Sequence, residues 1–216
     1  QGASRAKAIT DRTTSQEVCI TEALIDMKIV LASGSPRRRE LLSVVGVKDF
    51  EVCPAEGEEK TEAGLAPSEI VKSLSAAKAR EVAAKFDGDT VIIAADTIVW
   101  AEGRGLGKPH GEDEAFKMLK ALSGKTHEVY TGITLIKGGE ALSCAECTKV
   151  EFRELNDDEI NAYIATGEPM DKAGAYGIQG KASLMVKKID GDYFNVVGLP
   201  LCLLGQMLKQ IGVRLL

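Results

Sequence analysis

The sequence predicts an α/β protein whose mixed β-sheet is flanked by helices. Two observations predict this class. Short apolar strands alternate with amphipathic helices in the first half of the chain, and two long alternating strands surround Gly138 and Gly139 in the second half. Alternating strands and helices build a sheet with helices on its faces, and the glycine pair indicates a hairpin, so the sheet is expected to be mixed.

The first elements are a strand and a helix. The contiguous apolar residues within 28–32 indicate a short buried strand. Ser35 is a suitable N-cap and Pro36 suits the first helical position, so a helix is expected to begin there, and Gly46 ends it. A second strand is expected over residues 50–53, before an acidic loop.

The central elements are a long helix and a buried strand. The helix is expected from Pro67 to about Phe86, because its apolar residues recur on one side. Residues 90–95 give the most convincing buried strand, which delivers Asp96 and Thr97 near its end.

The remaining elements follow from glycine turns, helix caps and alternation. They are a hairpin-like break at Gly103 and Gly105, a helix over 112–122, strands over roughly 127–137 and 141–152, a helix capped by Asn156, a strand near 183–188, a turn at Asp190-Gly191 and a final helix from around Pro200.

Composition excludes two classes of partner. The chain has 216 residues, 44% of them hydrophobic and 27% charged, which is ordinary for a globular protein. The net charge of −5 argues against the broad basic surface that nonspecific nucleic-acid binding needs. No apolar run reaches membrane-spanning length. We therefore expect neither a nucleic-acid nor a membrane partner.

The five cysteines, an odd number, do not indicate a disulfide framework. Cys144 and Cys147 form a lone C-x-x-C, with no second pair or histidine cluster nearby to complete a zinc site. We interpret them as two unrelated thiols. A reducing, cytoplasmic location is expected.

The N-terminal residues 1–26 are polar and lack the compact apolar core of a signal peptide. We expect them to be a poorly ordered extension, with a targeting role left open. The domain is expected to span residues 27–216, with no boundary inside it.

Residues 171–180 hold three glycines, two charges and an amide, a composition that predicts neither a regular helix nor a strand. In isolation they would indicate a surface turn. Gln179 offers two donors and an acceptor, as needed to read the edge of a base. Together with residues 33–39 and the segment after strand 90–95, they suggest a nucleotide enzyme.

Residues 33–39 lie at a strand-to-helix junction, where backbone N–H groups and the helix dipole favour an anion. Ser33 adds a hydroxyl, and Arg37 and Arg38 add guanidinium groups suited to phosphate oxygens. A capped helix with a solvated basic first turn is the alternative. Because the dipole disfavours cations at a helix N-terminus, the arginines favour phosphate binding. The spacing is not that of a P-loop.

Other polar residues are candidates for chemistry. Asp96 could hold a divalent metal or orient an attacking water. Glu58 and Glu59 could supply further oxygen ligands, although a solvated acidic loop is the stronger reading from composition alone. Lys108 follows a glycine-rich turn, and His127, alone on its strand, is expected to be structural.

The order of these motifs resembles the Maf family of nucleotide pyrophosphatases over about nine tenths of the chain. The matching stretches are residues 31–42, Ala95-Asp96-Thr97, Lys108-Pro109, residues 127–132, 171–180 and 191–200. The resemblance implies two lobes around a central cleft, as in Maf and inosine triphosphatase-like proteins. It also implies hydrolysis of a nucleoside triphosphate to the monophosphate and pyrophosphate with Mg²⁺ or Mn²⁺.

The resemblance also implies roles for individual residues. Asp96 would accept the proton and, with Glu59, bind the metal. The polar set of the active site would comprise Ser33, Arg38, Glu59, Lys78 and Lys108. The trio Arg37, Thr97 and Gln179 resembles the subgroup acting on dTTP and UTP rather than the one acting on 7-methyl-GTP.

Two rival functions remain at this point. One is a nucleotide-binding regulator of cell division or septum formation with little turnover, and the other is a phosphatase that releases single phosphates. Retention of Asp96, Glu59 and the lysines favours an enzyme, because a sensor needs no water-activating group. A homodimer is expected.

Overall fold

The computed structural model describes residues 28–57 and 64–216. The predictions for residues 1–26, and those for Glu58 and Glu59, lie outside these described residues. The strands are β1 (Ile29–Leu31), β2 (Phe50–Val52), β3 (Val91–Ala101), β4 (Arg104–Leu106), β5 (Thr126–Lys137), β6 (Glu140–Phe152) and β7 (Val186–Asp190). The α-helices are α1 (Pro36–Val44), α2 (Pro67–Ala83), α3 (Glu112–Leu122), α4 (Asp157–Ile164), α5 (Tyr193–Val197) and α6 (Leu201–Gln210).

The described strands form one seven-stranded sheet in the order β2-β1-β3-β5-β6-β7, with β4 paired to β3. Strand β1 pairs in parallel with β2 and β3, and every other pairing is antiparallel. The predicted mixed sheet is therefore confirmed, as is the hairpin between β5 and β6. No helix within the described ranges is long and apolar enough to cross a membrane.

Helices cover both faces of the sheet. Alternate residues of β3 belong to two apolar clusters: Val91, Ile93 and Ala95 pack in one, and Ile92 and Ala94 in the other. The larger cluster contains the buried residues of α1, α3, α4 and α6. The smaller contains the α2 residues Ala79 and Val82. Because successive side chains of a strand point to opposite faces, α2 covers one face and the other helices cover the second.

Local signals fix several helix ends. Asn156 caps α4: its side chain accepts from the Glu159 N–H, and the Glu159 carboxylate accepts from the Asn156 N–H. Ser35 occupies the N-cap position of α1, but its side chain makes no capping hydrogen bond. The Ser33 hydroxyl instead accepts from the Ser35 N–H at 3.3 Å, and this hydrogen bond stabilises the turn between β1 and α1.

Three elements differ from the sequence prediction. Strand β3 runs well past residue 95, so Asp96 and Thr97 lie inside a strand because β5 pairs alongside both. Strand β7 begins at Val186, since Lys181–Leu184 winds into a 3-10 turn. The short helix α5 was not predicted, although Asp192 caps it by accepting from the Phe194 N–H.

Candidate active site

A cleft of about 930 Å³ opens beside a gap in the sheet. Strand β1 pairs with β3 only as far as Ile93, and β4 joins the same edge of β3 only from Val99. Between them, among the described residues, no strand pairs with that edge. Asp96, Thr97 and Ile98 line the cleft in this interval. The gap thus brings a stretch of central strand, normally covered, to a ligand-sized opening.

Asp96 lies at the floor of the cleft and is only 6% exposed. Lys78, from α2, forms an ion pair with its Oδ1 oxygen. A buried carboxylate is retained in its charged form only when such a partner compensates for lost water. Sequence reasoning placed both residues in the site, and the structure brings them together.

Helix α2 packs on β5 next to Asp96. Gly132 is the ladder partner of Asp96, and a Cβ atom built on it would lie 2.3 Å from the Val71 carbonyl oxygen. One turn along the helix, the hydroxyls of Ser75 and Thr134 hydrogen-bond at 2.8 Å. Lys78 follows on the same face, seven residues after Val71. The absent side chain at Gly132 therefore sets how closely Lys78 approaches Asp96.

Arg38 joins three segments around Asp96. Its Nε donates to the Gly198 carbonyl oxygen at 2.8 Å. One terminal nitrogen donates to Ser33 Oγ at 3.1 Å and to the Ala95 carbonyl oxygen at 2.8 Å, and the other donates to Thr97 Oγ1 at 3.1 Å. Three residues expected to bind substrate, Ser33, Arg38 and Thr97, thus share one hydrogen-bond network.

The other predicted site residues that the structure describes also line the cleft. Arg37 lies 3.7 Å from the Asp171 carboxylate, and that carboxylate also pairs with Lys172 at 2.6 Å. Lys108 and Gln179 line the cleft with exposed side chains. The structure therefore places every predicted site residue that it describes along one cleft.

Charge in the cleft is opposite in sign to that of the whole chain. Five cationic residues of the described chain line it, Arg37, Arg38, Lys78, Lys108 and Lys172, against the two carboxylates Asp96 and Asp171. The chain as a whole carries a net charge of −5. Converging cations in an acidic protein favour a small polyanion over a nucleic-acid backbone.

We call the side formed by Asp96, Lys78 and Arg38 the strand wall, and residues 171–180 the glycine wall. The glycine wall begins at the last residue of a 3-10 turn (Glu168–Asp171) and contains another (Ala173–Ala175). Residues 171–180 form no α-helix or strand, as the glycine content predicted. Gly174 has a φ of +66°, and a Cβ there would lie 2.8 Å from Val99 Cγ2. Only glycine combines that backbone angle with that close contact.

The glycine wall is anchored by a buried aromatic cluster. Tyr176 OH and His127 Nε2 hydrogen-bond at 2.8 Å, and both rings pack edge-on against Phe152. Burial lowers the pKa of His127 from 6.5 to about 4. This histidine is 3% exposed and serves as an anchor, as expected from its place on the strand.

Sequence reasoning missed three residues that line the cleft. Lys172 and Asp171 were treated only as charges within the glycine-rich segment, and Trp100, the one tryptophan of the chain, was not considered. The first two could have been found because charges beside positional glycines mark a binding loop. Trp100 carried no signal, since its position on the extended part of β3 follows from pairing with β4 and β5.

Comparison with known proteins identifies the family of this chain. The family model described as Maf-like protein matches residues 28–211. The chain therefore belongs to the Maf family.

Two relatives named dTTP/UTP pyrophosphatase, from Bacillus cereus (strain AH187) and Bacillus thuringiensis subsp. konkukian (strain 97-27), are each 53% identical over 186 residues. Each alignment covers 86% of this chain and 96% of the relative. Among solved structures, a HAM1 protein from Coxiella burnetii is 19% identical with a TM-score of 0.49. That match covers 85% of this chain and 99% of the other, and it is too distant to bear on function.

Proposed function

We propose that this protein hydrolyses nucleoside triphosphates, with dTTP and UTP preferred, to the nucleoside monophosphate and pyrophosphate. The observation that carries the proposal is the buried Lys78–Asp96 pair at the floor of a cationic cleft. The 53% identical relatives named dTTP/UTP pyrophosphatase support the reaction and the bases.

The reaction needs a nucleophile and a neutralised polyanion. Water attacks the α-phosphorus, the bond from that phosphorus to the bridging oxygen breaks, and pyrophosphate leaves with the bond electrons. Asp96 orients the water and accepts its proton, because its carboxylate is the buried base on the cleft floor. Lys78 holds that carboxylate in place and stabilises charge developing on the phosphate oxygens.

Two further cations complete the phosphate site. Lys108 and Arg37 also line the cleft, and we assign them to the β- and γ-phosphates of a substrate. Arg37 is paired with Asp171 in the structure, so an arriving polyphosphate competes with that carboxylate for the guanidinium. Charge-assisted contacts of this kind are worth about 1.5–3 kcal/mol each.

A divalent metal is part of the proposal. Within residues 28–57 and 64–216, no group of three or more His, Cys, Asp or Glu residues could hold a metal alone. Mg²⁺ is commonly held by one or two carboxylates together with substrate phosphates, and Asp96 fits that requirement. Glu59, outside the described residues, is the second proposed ligand. A bound Mg²⁺ or Mn²⁺ would neutralise phosphate charge and polarise the phosphorus centre.

Base selection is assigned to the glycine wall. The Gln179 amide can donate to a pyrimidine carbonyl and accept from the ring N3–H, a pattern that thymine and uracil share. Its exposed side chain lines the cleft, so it is accessible to a bound base. Arg37 and Thr97, which the family resemblance also associates with dTTP and UTP, lie outside this wall.

The test is product identification across a panel of canonical and modified triphosphates with Mg²⁺ or Mn²⁺. We expect pyrophosphate and the monophosphate, with dTTP and UTP giving the highest kcat/KM. Orthophosphate as the first product would replace the proposal with a phosphatase. Tight binding of UTP with no product would replace it with a nucleotide-binding regulator.

A further inference from the structure

We propose that Arg38 is a positioning residue that holds Asp96 for catalysis, rather than a ligand of the substrate phosphates. This inference rests on the proposed function and assigns a different role from the one that the resemblance implied for Arg38. It is carried by the direction of the guanidinium group and by the gap in the sheet.

Next to Asp96, the gap leaves backbone groups of β3 with no neighbouring strand among the described residues. Backbone N–H and C=O groups inside a protein must find partners, and strands normally supply them. Strand β1 no longer pairs with β3 beyond Ile93, yet Ala95 and Thr97 still belong to β3. Two residues before Ala95, the Ile93 carbonyl is still satisfied by the Ala32 N–H at 2.8 Å. Ala95 is the next residue whose carbonyl faces the same edge.

Arg38 fills this need in place of a strand. Its terminal nitrogens bind the Ala95 carbonyl oxygen on one side of Asp96 and the Thr97 hydroxyl on the other. Its Nε reaches Gly198, which follows α5. The guanidinium therefore clamps the residues flanking Asp96 and connects them to two further segments, the end of β1 and the end of α5.

The geometry leaves little of the guanidinium for substrate. Arg carries five N–H donors in a rigid planar fork, and four of the Arg38 donors are directed to protein oxygens at 2.8–3.1 Å. A bidentate phosphate contact uses two donors, so it would require breaking at least one of these bonds. Arg37, the preceding residue, differs because its one ion pair within the described residues is 3.7 Å long and involves a 64% exposed Asp171 carboxylate.

The two roles predict different kinetics. A phosphate ligand contributes to substrate binding, so its loss raises KM and the Kd for the nucleotide. A positioning residue acts on the geometry of the base, and a displacement of about 1 Å can cost on the order of 100-fold in rate. Lysine retains the charge of arginine but not the planar fork, so it weakens a phosphate contact and raises KM, whereas it cannot reproduce a clamp of several directed hydrogen bonds.

The experiment compares Arg38→Lys with its neighbour Arg37→Lys, using UTP turnover and calorimetric binding of a UTP analogue with a non-hydrolysable α,β-imido link. We expect Arg38→Lys to lower kcat by about 10- to 100-fold with a Kd within about threefold of wild type. For Arg37→Lys we expect a raised KM with a nearly unchanged kcat. Circular dichroism and melting temperature confirm that each variant is folded.

Two further variants keep the test decisive if Arg38→Lys does not fold. Thr97→Val removes one acceptor of the clamp, and Thr97→Ser restores it; we expect kcat to fall in the first and recover in the second. Where Arg38→Lys does fold, a double-mutant cycle adds a second test: in an Asp96→Asn background, Arg38→Lys should cost little more, because the positioned group is already lost.

Three results separate the possibilities. An Arg38→Lys protein with raised KM and intact kcat overturns the positioning role. So does a full additional loss from Arg38→Lys in the Asp96→Asn background. A wild-type protein that turns over no UTP overturns the proposed function itself, which is a distinct outcome.

Discussion

The two walls of the cleft are built by different means. The strand wall carries its polar groups on β3, α1 and α2, where each is fixed by buried partners on several elements: Asp96 by Lys78, and Arg38 by four protein oxygens. The glycine wall is built from 3-10 and other turns, and its two charged groups, Asp171 and Lys172, pair with each other, with Arg37 as the one more distant ion-pair partner within the described residues.

This difference indicates a division of labour. Chemistry at phosphorus needs a base held within fractions of an ångström, which regular elements provide better than turns. Recognition of a base tolerates adjustment and benefits from exposed amides and glycines near the ligand. We therefore assign catalysis to the strand wall and selection to the glycine wall, and each prediction below tests that assignment.

The largest effect is expected from Asp96→Asn. The change keeps the shape but removes the base and the negative charge that pairs with Lys78, so turnover should fall by about 100-fold or more. The matched control is Asp171→Asn on the glycine wall, which we expect to alter KM more than kcat because the 64% exposed Asp171 carboxylate pairs with Arg37, a proposed phosphate contact. The measurement is kcat and KM for UTP hydrolysis by wild type and by both folded variants. A folded Asp96→Asn protein with near-normal turnover would remove Asp96 from the mechanism.

A smaller loss is expected from Gly132→Ala. The new Cβ would lie 2.3 Å from the Val71 carbonyl oxygen, so α2 must move outward and carry Lys78 away from Asp96. We expect kcat to fall by about tenfold and stability by about 1–3 kcal/mol, the usual cost of overpacking.

The matched control for Gly132→Ala is Gly88→Ala, where nothing lies within 4 Å of the new atom. Urea unfolding and UTP kinetics on both variants provide the measurement. Equal changes of kcat and of stability in the two variants would contradict the close packing of α2 on β5.

Gln179→Ala tests the glycine wall alone. Removing the amide should narrow the preference for UTP over CTP several-fold, because the polar edge of the base loses its matched partner. The fold-change in kcat with UTP should be smaller than the fold-change in the preference for UTP over CTP. Pyrophosphate should remain the product. The measurement is the ratio of kcat/KM for the two nucleotides in wild type and variant. An unchanged ratio would place base selection elsewhere in the cleft.

The smallest effect is a dependence of stability on pH at the anchor of the glycine wall. The pKa of His127 is about 4 in the folded protein against 6.5 when exposed, so the unfolded chain binds a proton more readily. Stability should therefore decline as pH falls from about 6.5 toward 4. The buried Nδ1 has no hydrogen-bond partner among the described residues, so a protonated ring would leave a donor unsatisfied.

The control for this effect is His127→Gln, which cannot gain the charge. Its urea midpoint should be lower than wild type at pH 7.5 yet change less between pH 7.5 and 5. A parallel pH dependence in the two proteins would show that other groups cause it.

Much of the fold could be predicted from the sequence because local signals coincide with the final structure. Asn156 forms the predicted helix start of α4, and Gly138 and Gly139 form the predicted hairpin. The length of β3 could not be predicted, since Asp96 and Thr97 interrupt its apolar pattern and only pairing with β5 keeps them in the strand.

The site was predictable as a set of residues but not as an arrangement. Asp96 and Lys78 were expected in one site, and the structure places them in contact. Adjacent residues of a helix diverge by about 100°, so Arg37 and Arg38 must point in different directions. The partners of each arginine could not be predicted, because they come from segments distant in sequence. Gly132 was part of a motif, and its close contact with α2 became visible only in the packed structure.

The central claim, attack of water on the α-phosphorus from the strand wall, is tested most directly by hydrolysing UTP in water enriched in oxygen-18. The account predicts that the label enters UMP and that the released pyrophosphate carries none. Label in pyrophosphate or in orthophosphate would place the attack on another phosphorus and contradict the account.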